Sequence, residues 1–158
     1  MNGVDRSRRS IPVRFILMSS FVSIADEGRV RTLTLSNPGR MNAVPPDGWV
    51  DLGDAFIAFE QSDQRCLIVT GAQGEFCAGA DMRRGRDEVP SAADNAERMR
   101  ITNRAALALH RSTKPTIAAV DGVAVGAGMN LALGCDIVLA TPRARFAEVF
   151  VRRGLTLD

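Results

Sequence analysis

The order of the predicted elements indicates an α/β fold with buried strands for this chain of 158 residues. Short, continuous apolar runs at residues 66–70 and 116–120 are typical of strands that are covered on both faces. Each run is followed by a glycine-rich loop, at residues 71–81 and 121–128, and then by a segment of helical character. This repeated order of strand, loop and helix is typical of α/β domains.

The elements before the first apolar run are predicted from turn signals and periodicity. Residues 21–24 and 30–35 should form two short strands joined by a tight turn. A second turn at residues 37–39, with the sequence NPG, ends the second strand. A helix should follow, because apolar side chains recur three or four positions apart from Trp49 to Phe59.

The elements after the first loop are predicted in the same way. Residues 92–111 should form a long helix that stops before Pro115. A short apolar helix at residues 129–134 and a strand at residues 137–140 should follow. Residues 145–158 contain neither a capped helix nor a closing strand, so we expect a complete fold to continue beyond them.

Charge and composition exclude several classes of partner. The net charge is +2, but residues 1–17 hold +3 and leave the remaining body at −1. A near-neutral body argues against nucleic acid, because phosphate binding needs a clustered basic face. No apolar run approaches the ~18–20 residues of a membrane helix. We therefore predict a disordered basic tail at residues 1–20 and a domain at residues 21–158, with no nucleic-acid or membrane partner.

The cysteine and histidine content argues against a disulfide framework and against a metal site. The three cysteines are Cys66, Cys77 and Cys135, an odd number without C-x-x-C spacing, and His110 is the single histidine. Such cysteine usage favours a reducing compartment, so the predicted location is the cytoplasm.

The two glycine-rich loops are the candidate functional elements. Small residues allow the backbone to approach a ligand closely, and free N–H groups at a helix N-terminus favour negative charge. If the two loops met, they could supply two converging donors, which is the geometry of an oxyanion hole. The alternative is that these glycines only form tight turns and close packing, since glycine-rich loops are a weak signal alone.

Six short segments carry a more specific pattern. They are residues 37–43 (NPGRMNA), 75–81 (EFCAGAD), 114–122 (KPTIAAVDG), 126–128 (GAG), 135–137 (CDI) and 144–146 (ARF). In this order and spacing they resemble the enoyl-CoA hydratase/isomerase (crotonase) superfamily. The resemblance covers the chain from about residue 21 onward and implies a crotonase-like spiral of ββα units that acts on an acyl-CoA.

The resemblance assigns roles to backbone groups of the two loops. It implies that the N–H groups of Ala80 and Gly128 hold the thioester oxygen, and that Ala78 and Asp81 lie beside the CoA adenine. Coenzyme A is part of the substrate, so no separate cofactor and no metal are expected. The implied partner is a small-molecule acyl-CoA.

The chain departs from the family pattern at its carboxylates. Family hydratases carry two glutamates where this chain has Asn130 and Phe150, and activation of water by a general base and acid needs both. Glu148 is near in sequence, but a shift of two residues places it elsewhere. Asp158 lies in the segment GLTLD, which resembles the G-L-x-x-D segment of family members that move a double bond, although it could instead be a solvated terminal carboxylate.

These departures leave three functions open. An enolate-forming double-bond isomerase is slightly preferred; the alternatives are an enoyl-CoA hydratase of fatty-acid β-oxidation and an inactive, truncated remnant. Complete family members continue into a C-terminal helical trimerisation region that this sequence lacks. We therefore expect an incomplete spiral with exposed apolar surface, whereas a complete member would form a homotrimer or hexamer.

Overall fold

The computed structural model describes residues 12–17, 19–82 and 91–154. Within these ranges the chain forms strands and three α-helices, with short 3₁₀ turns at Ala72–Gly74 and Phe150–Arg153. In chain order the elements are β1 (Val13–Leu17), β2 (Val22–Glu27), β3 (Val30–Leu35), α1 (Gly48–Glu60), β4 (Cys66–Gly71), α2 (Ala92–His110), β5 (Thr116–Val120), β6 (Val123–Val125), α3 (Ala127–Leu133), β7 (Ile137–Ala140) and β8 (Arg145–Ala147).

The main sheet has six strands in the order β1-β2-β3-β4-β5-β7. Strands β1, β2 and β3 pair antiparallel, and β3, β4, β5 and β7 pair parallel. A second, two-stranded sheet is formed by β6 and β8 in parallel. The predicted α/β class is therefore confirmed. Two strands are additions to the prediction: β6 lies within the second glycine-rich loop, and its partner β8 lies within residues 145–158, where no strand was expected.

The predicted disordered tail at residues 1–20 is wrong for Val13–Leu17. This segment forms β1 and pairs with β2 along its whole length, from Val13 opposite Glu27 to Leu17 opposite Ser23. Four of the five residues of this segment are apolar, and the segment pairs with the edge of β2 that β3 leaves free, which explains the strand. Residues 1–11 lie outside the described residues.

The core lies between the sheet and α1. The predicted apolar stripe of α1 is confirmed, because Trp49, Leu52, Phe56 and Phe59 are all buried. These side chains join one cluster with buried residues of β2 to β5. Helix α2 packs on α1 and buries only Ala105 and Leu109. The apolar face of α1 thus anchors the strands that carry the two loops.

Strand β7, at one edge of the sheet, differs in its burial from the inner strands β2 to β5. All four of its residues are exposed, including Ile137 and Leu139 at 50% and 59%. Asp136 holds its start to β5, since the N–H and hydroxyl of Thr116 both donate to the Asp136 carboxylate at 2.8 Å. No helix within the described ranges is long and apolar enough to cross a membrane.

Candidate active site

The first glycine-rich loop is joined to β6 by a single bridge. After β4 the chain passes through a 3₁₀ turn and becomes extended, so that the N–H of Cys77 donates to the Val123 carbonyl at 2.8 Å. The N–H of Val125 donates back to the Cys77 carbonyl at 3.0 Å. The start of the second loop is therefore fixed against the middle of the first.

Three residues further along, the first loop bridges to the segment that precedes α1. The N–H of Val44 donates to the Gly79 carbonyl at 2.7 Å, and the N–H of Asp81 donates to the Val44 carbonyl at 2.8 Å. Successive peptide groups of an extended chain point in opposite directions. The N–H of Ala80, which stands between these two bonds, therefore points away from Val44.

Two glycines allow the loops to touch backbone to backbone. A Cβ at Gly128 would lie 2.1 Å from the Cys77 carbonyl oxygen, and a Cβ at Gly79 would lie 2.8 Å from the Val125 carbonyl oxygen. Gly79 also has a φ of +92°, which disfavours any side chain. Only glycine fits this contact, so the structure brings together the two loops that the sequence singled out.

The second predicted donor lies at the start of α3. Gly126, with a φ of +54°, turns the chain into the helix, and the carbonyl of Gly126 accepts from the N–H of Asn130 at 3.0 Å. Gly128 is in the first turn of α3, where N–H groups have no partner within the helix. Among the described residues, neither its N–H nor that of Ala80 donates to a protein acceptor.

Of the three remaining predicted site residues, the structure describes Ala78 and Asp81 but not Asp158. Ala78 and Asp81 flank Ala80 on the same loop and are half-buried. The N–H of Ala78 donates to the Met41 carbonyl at 2.9 Å, so this part of the loop is fixed to the segment before α1. Asp158 lies outside the described residues.

Asn42 holds the first loop in place, a role that the sequence pattern does not reveal. Its side chain is buried, and its amide nitrogen donates to the carbonyls of Ala72 at 2.9 Å and Glu75 at 2.7 Å. Its amide oxygen accepts from the N–H of Asn37 at 3.0 Å. The motif NPGRMNA identifies this asparagine as notable, but its contacts thirty residues away appear only in three dimensions.

Two acidic side chains fix the second loop. A carboxylate oxygen of Glu75 accepts from the N–H of Val123 at 2.6 Å. Asp121 pairs with Arg143 at 2.5 Å, and the same guanidinium nitrogen donates to the Gly74 carbonyl at 3.1 Å. The hydrogen bond from Arg143, with that from Thr141, lowers the pKa of Asp121. Both loops are thus cross-linked at the end opposite to α3.

The chemistry available to side chains at this site is limited. Burial raises the pKa of the Cys77 thiol to about 11, so it remains protonated and is a packed residue rather than a nucleophile. Glu148 is exposed, whereas Asn130 and Phe150 are half-buried. The described part of the chain holds no group of three or more side chains that could bind a metal ion. What the loops offer is a pair of backbone donors.

Comparison with known proteins identifies the family. A profile described as enoyl-CoA hydratase/isomerase matches residues 25–158. The 1,2-epoxyphenylacetyl-CoA isomerase of Escherichia coli (strain K12) is 40% identical over 144 residues, which are 89% of this chain and 55% of that protein. An enoyl-CoA hydratase of Alternaria alternata is 31% identical over 134 residues, covering 84% of this chain and 45% of its own length.

Two of the solved structures with a similar fold are also named enoyl-CoA hydratases. An enoyl-CoA hydratase/carnithine racemase from Magnetospirillum magneticum matches with a TM-score of 0.81 at 27% identity, covering 89% of this chain and 53% of its own. An enoyl-CoA hydratase from Polaromonas sp. JS666 matches with a TM-score of 0.78 at 35% identity, covering 87% and 54%. The chain belongs to the enoyl-CoA hydratase/isomerase family, and the predicted crotonase-like fold is confirmed. It spans about half the length of these relatives.

Proposed function

We propose that this chain carries the thioester-binding part of an enzyme that acts on an enoyl-CoA through an enolate. The observation that supports this most directly is the meeting of the two loops at Gly79 and Gly128, which leaves the N–H groups of Ala80 and Gly128 without an acceptor among the described residues. A thioester oxygen would accept from both.

The proposed chemistry uses these donors where negative charge develops. Removal of a proton from an acyl-CoA converts the thioester carbonyl into an enolate, and fixed donors stabilise that oxygen. Loss of one such donor typically costs ~2.7–4 kcal/mol of transition-state stabilisation. The hydrogen bonds that hold Cys77 and Val44 keep the donors in place before substrate binds, so little reorganisation is needed.

The CoA part of the substrate would lie along the first loop. Ala78 and Asp81 are half-buried on either side of the proposed donor at Ala80, and we propose that they contact the adenine end. No separate cofactor is needed, because coenzyme A arrives with the acyl group. The homotrimer or hexamer expected of a complete family member stays a prediction, which light scattering of the purified chain would test.

Double-bond isomerisation is preferred over hydration as the reaction. One carboxylate suffices to take a proton from one carbon and return it to another, and Asp158 is the proposed base. Asn130 and Phe150 offer no carboxylate to activate water. The E. coli relative is named an isomerase, but the Alternaria relative is named a hydratase, and hydration is the second candidate.

Product mass distinguishes the two reactions. A 3-enoyl-CoA and a 2-enoyl-CoA are supplied separately, and the products are identified by mass spectrometry. Isomerisation leaves the mass unchanged, whereas hydration adds one water. The Asp158→Asn variant should lose isomerisation, and Glu148→Gln, which changes an exposed carboxylate of the same segment, should keep it. Addition of water to the 2-enoyl substrate at a comparable rate would contradict the preference.

A further inference from the structure

The segment after β8 lies directly over the second glycine-rich loop. The N–H of Gly126 donates to the Ala147 carbonyl at 2.9 Å, which fixes this segment against the loop. A Cβ built on Gly126 would lie 3.6 Å from Val149 Cγ2 and 3.9 Å from two ring carbons of Phe150. These are ordinary van der Waals distances, so both side chains cover the turn that leads into α3.

The cover over this turn is apolar. Gly126 stands two residues before the proposed donor Gly128, so the ring of Phe150 covers the turn that leads to that donor, and we infer that an acyl group held by the donor would extend past the ring. Phe150 is half-buried and retains accessible surface, whereas Glu148, the acidic residue of the segment, is exposed. A phenyl ring packs against hydrocarbon but cannot satisfy a hydroxyl group or hold a water molecule, and burying a polar group without a hydrogen bond is costly.

We propose that Phe150, together with Val149 on the same turn, is a specificity-determining residue that accepts apolar acyl groups and rejects hydroxylated ones at the thioester site. The proposal rests on the proposed function, because it takes the loops to bind a thioester. It defines the substrate class as thioesters of hydrocarbon acyl groups. It also gives a physical reason for poor hydration, since a 3-hydroxyacyl product would place its hydroxyl group against the ring.

The test measures affinity for three ligands by isothermal titration: hexanoyl-CoA, 3-hydroxyhexanoyl-CoA and free CoA. The unchanged chain should bind hexanoyl-CoA more tightly than the hydroxylated ligand. Phe150→Ala should weaken the affinity for hexanoyl-CoA about tenfold, as expected for loss of an apolar contact. The affinity for free CoA should stay nearly unchanged. Phe150→Leu should retain most of the preference, because it remains apolar.

The matched control is Val151→Ala, which changes the next residue of the same turn. Val151 is 77% exposed, so all three affinities should stay the same. Circular dichroism and the thermal midpoint of each variant show whether the fold is kept, and Phe150→Leu provides a second, milder variant if Phe150→Ala unfolds.

The outcomes separate this inference from the proposed function. If the unchanged chain binds none of the three ligands, the proposed function fails and the inference fails with it. If it binds them and Phe150→Ala leaves the ratio between hexanoyl-CoA and 3-hydroxyhexanoyl-CoA unchanged, only the inference is overturned. An equal loss of affinity for all three ligands, including free CoA, would mean that Phe150 only supports the fold. That result would also overturn the inference.

Discussion

Strands β4 and β7 have similar sequences but opposite environments. Both are short apolar strands of the six-stranded sheet, and both pair in parallel with β5. In β4, Leu67 and Val69 are 1% and 0% exposed, whereas in β7 Ile137 and Leu139 are 50% and 59% exposed. Strand β4 has neighbours on both sides, while β7 lies at one of the two edges of the sheet. An apolar run thus specifies a strand, but its burial depends on what packs against it.

The two glycine-rich loops, like β4, are closely packed, and we expect the largest effect of a substitution at their contact. Gly128→Ala should abolish acyl-CoA binding and destabilise the chain by about 3 kcal/mol or more, because the new Cβ would meet the Cys77 carbonyl oxygen at 2.1 Å. The measurements are urea unfolding and ligand titration.

Gly53→Ala is the matched control for that substitution. Gly53 is also a buried helical glycine, but a Cβ there would meet the end of the flexible Arg104 side chain at 2.8 Å and the backbone of Ala105 at an ordinary van der Waals distance of 3.7 Å. The change should be neutral or stabilising by up to about 1 kcal/mol, through higher helix propensity. Equal losses in the two variants would show that the contact with Cys77 is not what requires glycine.

Substitution of one leucine in each strand compares the packing of β4 and β7 directly. Leu67→Ala in β4 should lower the free energy of unfolding by about 2–5 kcal/mol, since it opens a cavity in the packed core. Leu139→Ala in β7 should change it by less than about 0.5 kcal/mol, because that side chain already meets solvent. Denaturant unfolding measures both. A similar loss for Leu139→Ala would mean that β7 is covered in solution.

The β2–β3 hairpin carries a buried ion pair that makes the stability of the fold sensitive to acid. The Arg31 guanidinium donates two hydrogen bonds to the Asp26 carboxylate, at 2.8 and 2.9 Å, and this lowers the pKa of Asp26 below its ordinary 3.8. The ion pair stabilises the fold fully above about pH 3.8, the ordinary pKa of an aspartate. This stabilisation is lost as the pH falls through the lower pKa that Asp26 has in the folded chain.

Asp26→Asn should therefore cost about 1.5–3 kcal/mol at neutral pH and make stability less dependent on pH in the acid range. Glu27→Gln, at the exposed end of the same strand, should change neither quantity appreciably. The check is urea unfolding at a series of pH values. An unchanged acid dependence in the Asp26 variant would show that other carboxylates cause it.

The smallest expected effect on stability is at the exposed strand. Leu139→Lys should leave the unfolding free energy within about 0.5 kcal/mol of the unchanged chain. It should also reduce self-association, because a charge blunts an apolar sheet edge. Light scattering over a range of concentrations measures this, and Ala58→Lys, which adds the same single charge on the exposed surface of α1, controls for added charge alone. Equal association in both variants would exclude the β7 edge as its cause.

The sequence predicts much of this fold because its signals are local. Periodicity and glycine-rich turns locate α1, β5 and β7 to within a residue or two. Strand β1 was not predicted, because the arginines at residues 6–14 favour a basic tail, although its partner β2 begins only five residues after β1 ends. Distance along the chain is instead what limits the prediction of the site: the loop glycines are visible in the sequence, but the Asn42 side chain and the contact of Gly128 with Cys77 join residues far apart in the chain.

The proposed function depends on the N–H groups of Ala80 and Gly128, which together would hold a thioester oxygen. Infrared difference spectroscopy of a bound enoyl-CoA with an isotopically labelled thioester carbonyl tests it most directly, because hydrogen bonds polarise that bond. Two hydrogen bonds to the thioester oxygen should shift the carbonyl stretch clearly to lower frequency on binding. A bound ligand whose carbonyl stretch stays at its value in water would contradict it.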